Sequence, residues 1–181
     1  GLLGLAVPIG FSVVLWLGLG NEVNDSEYDG ILAGTLLIDR FSVFFKFFFL
    51  GALVLVMLAS TEFVRKFSRA QTEYYALLMI SASGMMLLSS TVELITIYIA
   101  LELTTLPIAA LVTFYRNGRS AEAGMKFLIL SAISSAFLLY GIVMVYGFSG
   151  STLLSEIAWH VDFLGNSENE PIMAYVLFLG I

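Results

Sequence analysis

What most constrains this chain is that its apolar residues come in long runs and do not alternate with polar ones. The stretch Phe44 to Ala59, FFKFFFLGALVLVMLA, holds one charge in sixteen residues. A strand of a membrane barrel alternates apolar and polar residues over about ten positions, and these runs do not. In hydrocarbon, open sheet edges leave backbone amides unpaired, so such runs satisfy their backbone as helices. A helix rises about 1.5 Å per residue, so about 20 residues cross the ~30 Å apolar core of a bilayer. The chain is 59% hydrophobic and 12% charged, against about 25% charged in soluble domains. The sequence therefore predicts an all-α polytopic transmembrane bundle, a single membrane-embedded domain over 1–181.

Six spans are expected: 2–19, with Pro8 inside it and Trp16 near its outer end, then 41–61, 74–91, 92–115, 121–148 and 171–181. The chain has no initial Met and its last apolar run is short, so a piece of a longer protein, incomplete at both ends, is expected. The loops differ in sign. Loops 62–73 and 116–120 hold five of the eight Lys and Arg, whereas 20–40 and 149–170 hold nine of the fourteen acids. The bias of Lys and Arg toward the cytoplasm places the first pair there, and the alternation of the spans agrees. The fifteen Phe, eight Tyr and two Trp suit lipid-facing surfaces and interfacial belts. An acidic balance of −6 argues against nucleic acid as a partner.

Cysteine is absent, which excludes thiolate-held iron–sulfur clusters, disulfides and Cys-based zinc sites. The one histidine, His160, rules out two-His haem ligation within the chain and reads as a surface residue of a short amphipathic piece, Leu153 to Val161. The expectation is a chain that carries no electrons, with no cofactor and no metal, so that in any redox complex it would be a non-redox subunit.

Charges inside the spans carry the functional signal. Glu102 lies in ITIYIALELTTLP, 14 residues before Arg116, and Lys126 lies seven residues past Arg119 on the next span. A charge at the centre of a spanning helix costs ~2.5–3.5 kcal/mol on insertion scales, so such residues usually serve a function. The two spans share a tight turn, Arg116-Asn117-Gly118-Arg119, and are neighbours. The two charged groups differ in depth by roughly 10 Å. That allows a direct pair or one bridged by water, and either lets the charge on one change the proton affinity of the other. The alternatives are a buried salt bridge that fixes register and a snorkelling lysine. Pro107 cannot donate to the carbonyl of Leu103, and Thr104 and Thr105 add hydroxyls, so these three are supporting candidates. Lys46 reads as snorkelling, Glu93 as a helix-end charge and Glu122 as support for a helix start. SASGMM and SAISSAF read as packing faces, with polar linings of a water path as the sharper alternative.

The block LELTTLPIAALVTFYRNGRSAEAGMKFLILSAISSAFLLYGIVMVYGFSG resembles the antiporter-like membrane subunits of respiratory complex I, in the branch of bacterial subunit N and mitochondrial subunit 2. The likeness rests on a Leu-Glu-x-x-x-Leu-Pro helix, a basic turn, a Glu-Ala-x-x-Lys helix and a Ser-Ser-Ala-Phe-Leu-Leu-Tyr-Gly run. Asn169-Glu170-Pro171, ahead of the last span, adds to it. The resemblance implies a proton-pumping subunit of a NADH:quinone oxidoreductase, with an antiporter-like fold of about fourteen helices of which this chain is a part. Glu102 and Lys126 would then be its proton-transfer couple, and other membrane-arm subunits and the lipid bilayer its partners. Flavin, iron–sulfur clusters and quinone would lie on other subunits. A bacterial plasma membrane is the expected location, with the inner mitochondrial membrane as the alternative. The other readings are a sodium/proton antiporter or membrane-bound hydrogenase subunit, or a structural membrane subunit without transport.

Overall fold

A computed structural model describes residues 34–65 and 70–166; the expected spans at 2–19 and 171–181 lie outside them. Six helices occur among the described residues: α1 (Arg40–Ala59), α2 (Thr61–Val64), α3 (Gln71–Leu88), α4 (Leu94–Val112), α5 (Gly118–Ser149) and α6 (Leu154–Asn166). There is no strand among these residues, only the isolated bridges Leu36–Thr91 and Glu93–Leu153. Three helices, α1, α4 and α5, are long and apolar enough to cross a membrane. The all-helical class is thus observed.

Local chemistry sets the helix ends. At the start of α1, Asp39 is extended and its carboxylate accepts from the Ser42 N–H at 2.7 Å, while Ser42 Oγ accepts from the Asp39 N–H at 3.1 Å. This reciprocal pair satisfies two amides that the helix itself leaves unpaired. Asn117 and Ser120 repeat the arrangement at α5, with the same distances of 2.7 and 3.1 Å. That is why α5 begins at Gly118 and not at the expected 121: Gly118 and Arg119, read as turn, already belong to the helix. α4 stops at Val112, short of the expected 115, because the Arg116 N–H closes a turn on the Thr113 carbonyl at 2.9 Å. Arg116 itself is left-handed, at φ 50. α5 ends on Gly150, at φ 68, where a residue without Cβ takes the left-handed cap. Its 32 residues extend about 48 Å at the helical rise, more than a perpendicular crossing requires.

The helices pack in the order α1, α3, α4, α5. Leu50, Leu53 and Met57 of α1 form a buried cluster with Ala82 of α3. The α3–α4 seam is the closest. A Cβ on Gly84 would lie 2.5 Å from Thr104 Oγ1, 2.8 Å from its backbone N and 2.9 Å from the Ala100 carbonyl. One turn earlier, Ser81 Oγ donates to the Thr104 carbonyl at 3.1 Å. The SASGMM segment is therefore a packing face, as expected, and includes an interhelical hydrogen bond. Gly124 of α5 gives a second close approach, against the Thr113 side chain of the turn after α4.

The two ends of the bundle are built differently. At the acidic end, three connecting segments are tied by backbone bonds: Leu37 N–H to Ser90 carbonyl at 2.7 Å, Val92 to Thr35 at 3.0 Å, Leu94 to Thr152 at 2.9 Å and Leu154 to Val92 at 3.0 Å. Ile157 of α6 packs there on Val145 and Leu94, so the expected amphipathic piece is a helix anchored to the bundle. At the basic end, Phe63, Tyr74, Phe114 and Tyr115 form ring contacts with centroids 5.3–6.2 Å apart.

Because Gly84 meets backbone atoms, Gly84→Ala is expected to destabilise the bundle by about 1–3 kcal/mol through overpacking. A lowered thermal unfolding midpoint of the purified membrane protein checks this. Removal of the α5 cap by Asn117→Ala is expected to cost about 1 kcal/mol in the same measurement.

Candidate functional site in the α4–α5 seam

Helix α4 is apolar over LITIYIALELTTLPIAALV apart from one carboxylate and three threonines. Its carboxylate, Glu102, is half-buried and faces α5, where Ser135 Oγ donates a hydrogen bond to Glu102 Oε1. Ser135 lies in SAISSAF, the stretch read from sequence as a packing face. Sequence reasoning missed it, although helical phase held the signal. Gly124, Ile142, Val145 and Ser149 form the buried stripe of α5, and Ser135 falls on that stripe at about 3.6 residues per turn.

Lys126 falls elsewhere. It is nine residues from Ser135, two and a half turns, and therefore on the opposite side of α5. Its ammonium donates to Glu122 Oε1 at 2.6 Å, one turn earlier on the same helix, with the two side chains 70% and 65% exposed. The structure thus gives Glu102 and Lys126 different partners and does not bring them into a direct pair. Glu122, read as support for the helix start, is also the ion-pair partner of Lys126.

The supporting residues act on the backbone. Thr104 Oγ1 donates to the Ala100 carbonyl at 2.9 Å and Thr105 Oγ1 to the Glu102 carbonyl at 3.4 Å. Pro107 is buried within α4, where it has no N–H to offer the Leu103 carbonyl. None of these three contacts gives a hydrogen bond to the Glu102 carboxylate, so its hydroxyl partner comes from the neighbouring helix.

Glu93 is more than a helix-end charge. Thr96 Oγ1 donates to its Oε2 at 2.5 Å and Thr152 Oγ1 to its Oε1 at 3.0 Å. The carboxylate thereby ties α4 to the segment before α6. His160, on α6, places Nδ1 2.9 Å from the Glu156 carbonyl and its ring against Trp159. Among the described residues no group of three or more His, Cys, Asp or Glu comes together to hold a metal. An open cleft of about 580 Å³ lies at the basic end between α3, α4 and α5, lined by Glu73, Ala110, Thr113, Arg116 and Asn117 among others. Arg116 reaches Glu73 across it at 3.8 Å, with both side chains exposed.

The fold and this site define an integral membrane protein that keeps a half-buried carboxylate on an apolar helix, at the seam with its neighbour. The chain belongs to the family described as NADH:quinone oxidoreductase/Mrp antiporter, transmembrane, whose pattern residues 91–181 match. It is 40% identical over 174 residues to NADH-quinone oxidoreductase subunit N of Moorella thermoacetica, covering 91% of this chain and 37% of that protein. It is 39% identical over 188 residues to the subunit N of Desulfitobacterium hafniense, covering 97% of this chain and 38% of that one. The chain thus spans a little over a third of the length of these relatives. Among solved structures it is similar to a chain of respiratory complex I from Thermus thermophilus with bound aureothin, at TM-score 0.63 and 29% identity, covering 99% of this chain and 36% of that chain. The fold also occurs in an archaeal membrane-bound sulfane sulfur reductase, at TM-score 0.70 and 19% identity, covering 97% of this chain and 37% of that chain.

Because the Thr105 hydroxyl binds backbone, Thr105→Val is expected to cost no more than about 1 kcal/mol and to leave assembly of the protein into its membrane unchanged. Thermal unfolding and blue-native electrophoresis check both.

Proposed function

We propose that the chain is part of a proton-translocating membrane-arm subunit of a NADH:quinone oxidoreductase, in which Glu102 takes up and releases protons. One observation carries this reading: the carboxylate of Glu102, on an apolar helix, is held by a neutral hydroxyl from the next helix. An Arg or Lys partner would stabilise the ionised form. A hydroxyl donates one hydrogen bond and accepts others, so it can serve the carboxylate and the carboxylic acid alike. A group that must exchange a proton needs both states to be satisfied.

Lys126 forms the second half of the couple through its charge alone, without direct contact. Its charge is balanced by Glu122, and loss of that balance changes the field at Glu102. Pro107, Thr104 and Thr105 support the helix around the carboxylate. The enzyme as a whole passes electrons from NADH to quinone. In this reading flavin, iron–sulfur clusters and quinone sit on other subunits, and this chain holds none of them. Its partners are the other membrane-arm subunits and the lipid. The excess of Lys and Arg in 62–73 and 116–120 supports placing the basic end in the cytoplasm of a bacterial cell. The cleft at that end, lined by Glu73 and Arg116, would then open on the cytoplasmic side. The family description also covers Mrp antiporters, so a sodium/proton exchanger is the second reading.

The test uses membrane vesicles containing the full-length protein in its assembled complex. Glu102→Gln is expected to slow proton pumping at least about tenfold, a rise in barrier of ~1.4 kcal/mol or more, with assembly intact. Lys126→Ala is expected to slow it as well. Unchanged pumping in Glu102→Gln, with intact assembly, favours a purely structural subunit. Pumping that requires sodium favours the exchanger.

A further inference from the structure

We propose that Ser135 is the positioning residue for Glu102: its hydroxyl aims the carboxylate into the α4–α5 seam and stays bonded to it in both protonation states. This deepens the reading of Glu102 as the proton-carrying group and rests on it.

Four observations carry the inference. The Ser135 hydroxyl donates to Glu102 Oε1 across two helices, 33 residues apart in sequence. The nearer hydroxyls are engaged with backbone: Thr104 with the Ala100 carbonyl, Thr105 with the Glu102 carbonyl and Ser81 with the Thr104 carbonyl. Ser135 lies on the buried stripe of α5 with Gly124 and Ile142, so the seam that closes the two helices also sets the distance of this bond. Finally, Lys126 lies on the opposite side of α5 and is paired with Glu122. The elements packed on α4 carry other titratable groups, namely Glu73, Tyr74 and Tyr75 on α3 and Arg119, Tyr140 and Tyr146 on α5. Glu73 to Tyr75 lie in the first turns of α3 at the basic end, and Arg119 lies in the first turn of α5. Tyr140 and Tyr146 are exposed.

A glutamate side chain turns about three bonds, and fixing it against that freedom requires a partner. When Glu102 is ionised, Ser135 donates to it. When Glu102 is protonated, its O–H can donate to Ser135 Oγ, and the serine hydrogen turns to another acceptor. Ser135 gains and loses no net proton. It reverses the direction of one hydrogen bond, so the carboxyl keeps its orientation through the cycle.

The test measures infrared difference spectra and proton pumping on the assembled complex, with Ser135→Ala, Ser135→Thr and Ser135→Cys beside Glu102→Gln. The carboxyl or carboxylate band lost in Glu102→Gln belongs to Glu102. That band is expected to move in Ser135→Ala, to move less in Ser135→Cys, whose thiol is a weak donor, and to return in Ser135→Thr. Pumping is expected to fall about two- to tenfold in Ser135→Ala, the range for one lost hydrogen bond, to recover in Ser135→Thr, and to fall no further when Ser135→Ala is added to Glu102→Gln. A Glu102 band unmoved in Ser135→Ala overturns the proposal. So does an equal, additive loss of pumping in the Glu102→Gln background. If Ser135→Ala does not assemble, an unmoved band in Ser135→Cys overturns it equally. If Glu102→Gln pumps normally while Ser135→Ala still moves the band, the contact stands and the proton-carrying role of Glu102 fails.

Discussion

The close approach of α3 and α4 at Gly84 is the constraint on which the rest of the bundle depends. Lipid tails are as apolar as leucine, so no hydrophobic force draws helices together once they are inserted. Association must come from van der Waals contact and from polar bonds between helices. Gly84 brings the α4 backbone near enough for both, and Ser81 completes the contact by donating to the Thr104 carbonyl. The same turn of α4 carries Glu102, so its azimuth, and with it the direction of the carboxylate, is set from the α3 side. Gly124 then sets the approach of α5 from the other side.

The two ends add different kinds of restraint. At the acidic end, backbone bonds among three connecting segments fix where α1, α4 and α5 begin or finish, and Glu93 joins them through two threonine hydroxyls. At the basic end, the contacts among the described residues include aromatic rings and an exposed ion pair. An exposed pair of that kind contributes ~0–1 kcal/mol. Among the described residues the acidic end is thus tied through backbone bonds, and the basic end, with a left-handed Arg116 in its turn, adds contacts between side chains.

Much of this was legible in the sequence, and the reasons for the rest are physical. Runs such as Phe44 to Ala59 define helices because lipid removes every alternative, and glycine and serine in SASGMM mark a packing face because only small residues permit it. Helix ends were less legible. Asn117 reads as a turn residue, but its side chain caps α5, and this moves the start of the helix by about one turn. The site was half legible. Glu102 declares itself by its cost, but sequence depth alone cannot give azimuth, so Lys126 looked like its neighbour while its phase points it away. Ser135 was hidden because a serine in a spanning helix serves equally well as a small packing residue or as a donor. Only the partner helix decides which.

The outward direction of Lys126 and Glu122 places a demand on whatever covers that side of α5. Each alone would be costly in hydrocarbon, but together they form a neutral dipole, and the face around them is otherwise apolar, with Phe137 73% exposed farther along. A surface that packs there can leave the dipole intact and apolar, or it can offer a competing charge or water and separate the two. In the second case one side of α5 becomes ionic while the other side holds the Ser135–Glu102 bond. The helix would then separate two polar environments by the width of a single rod.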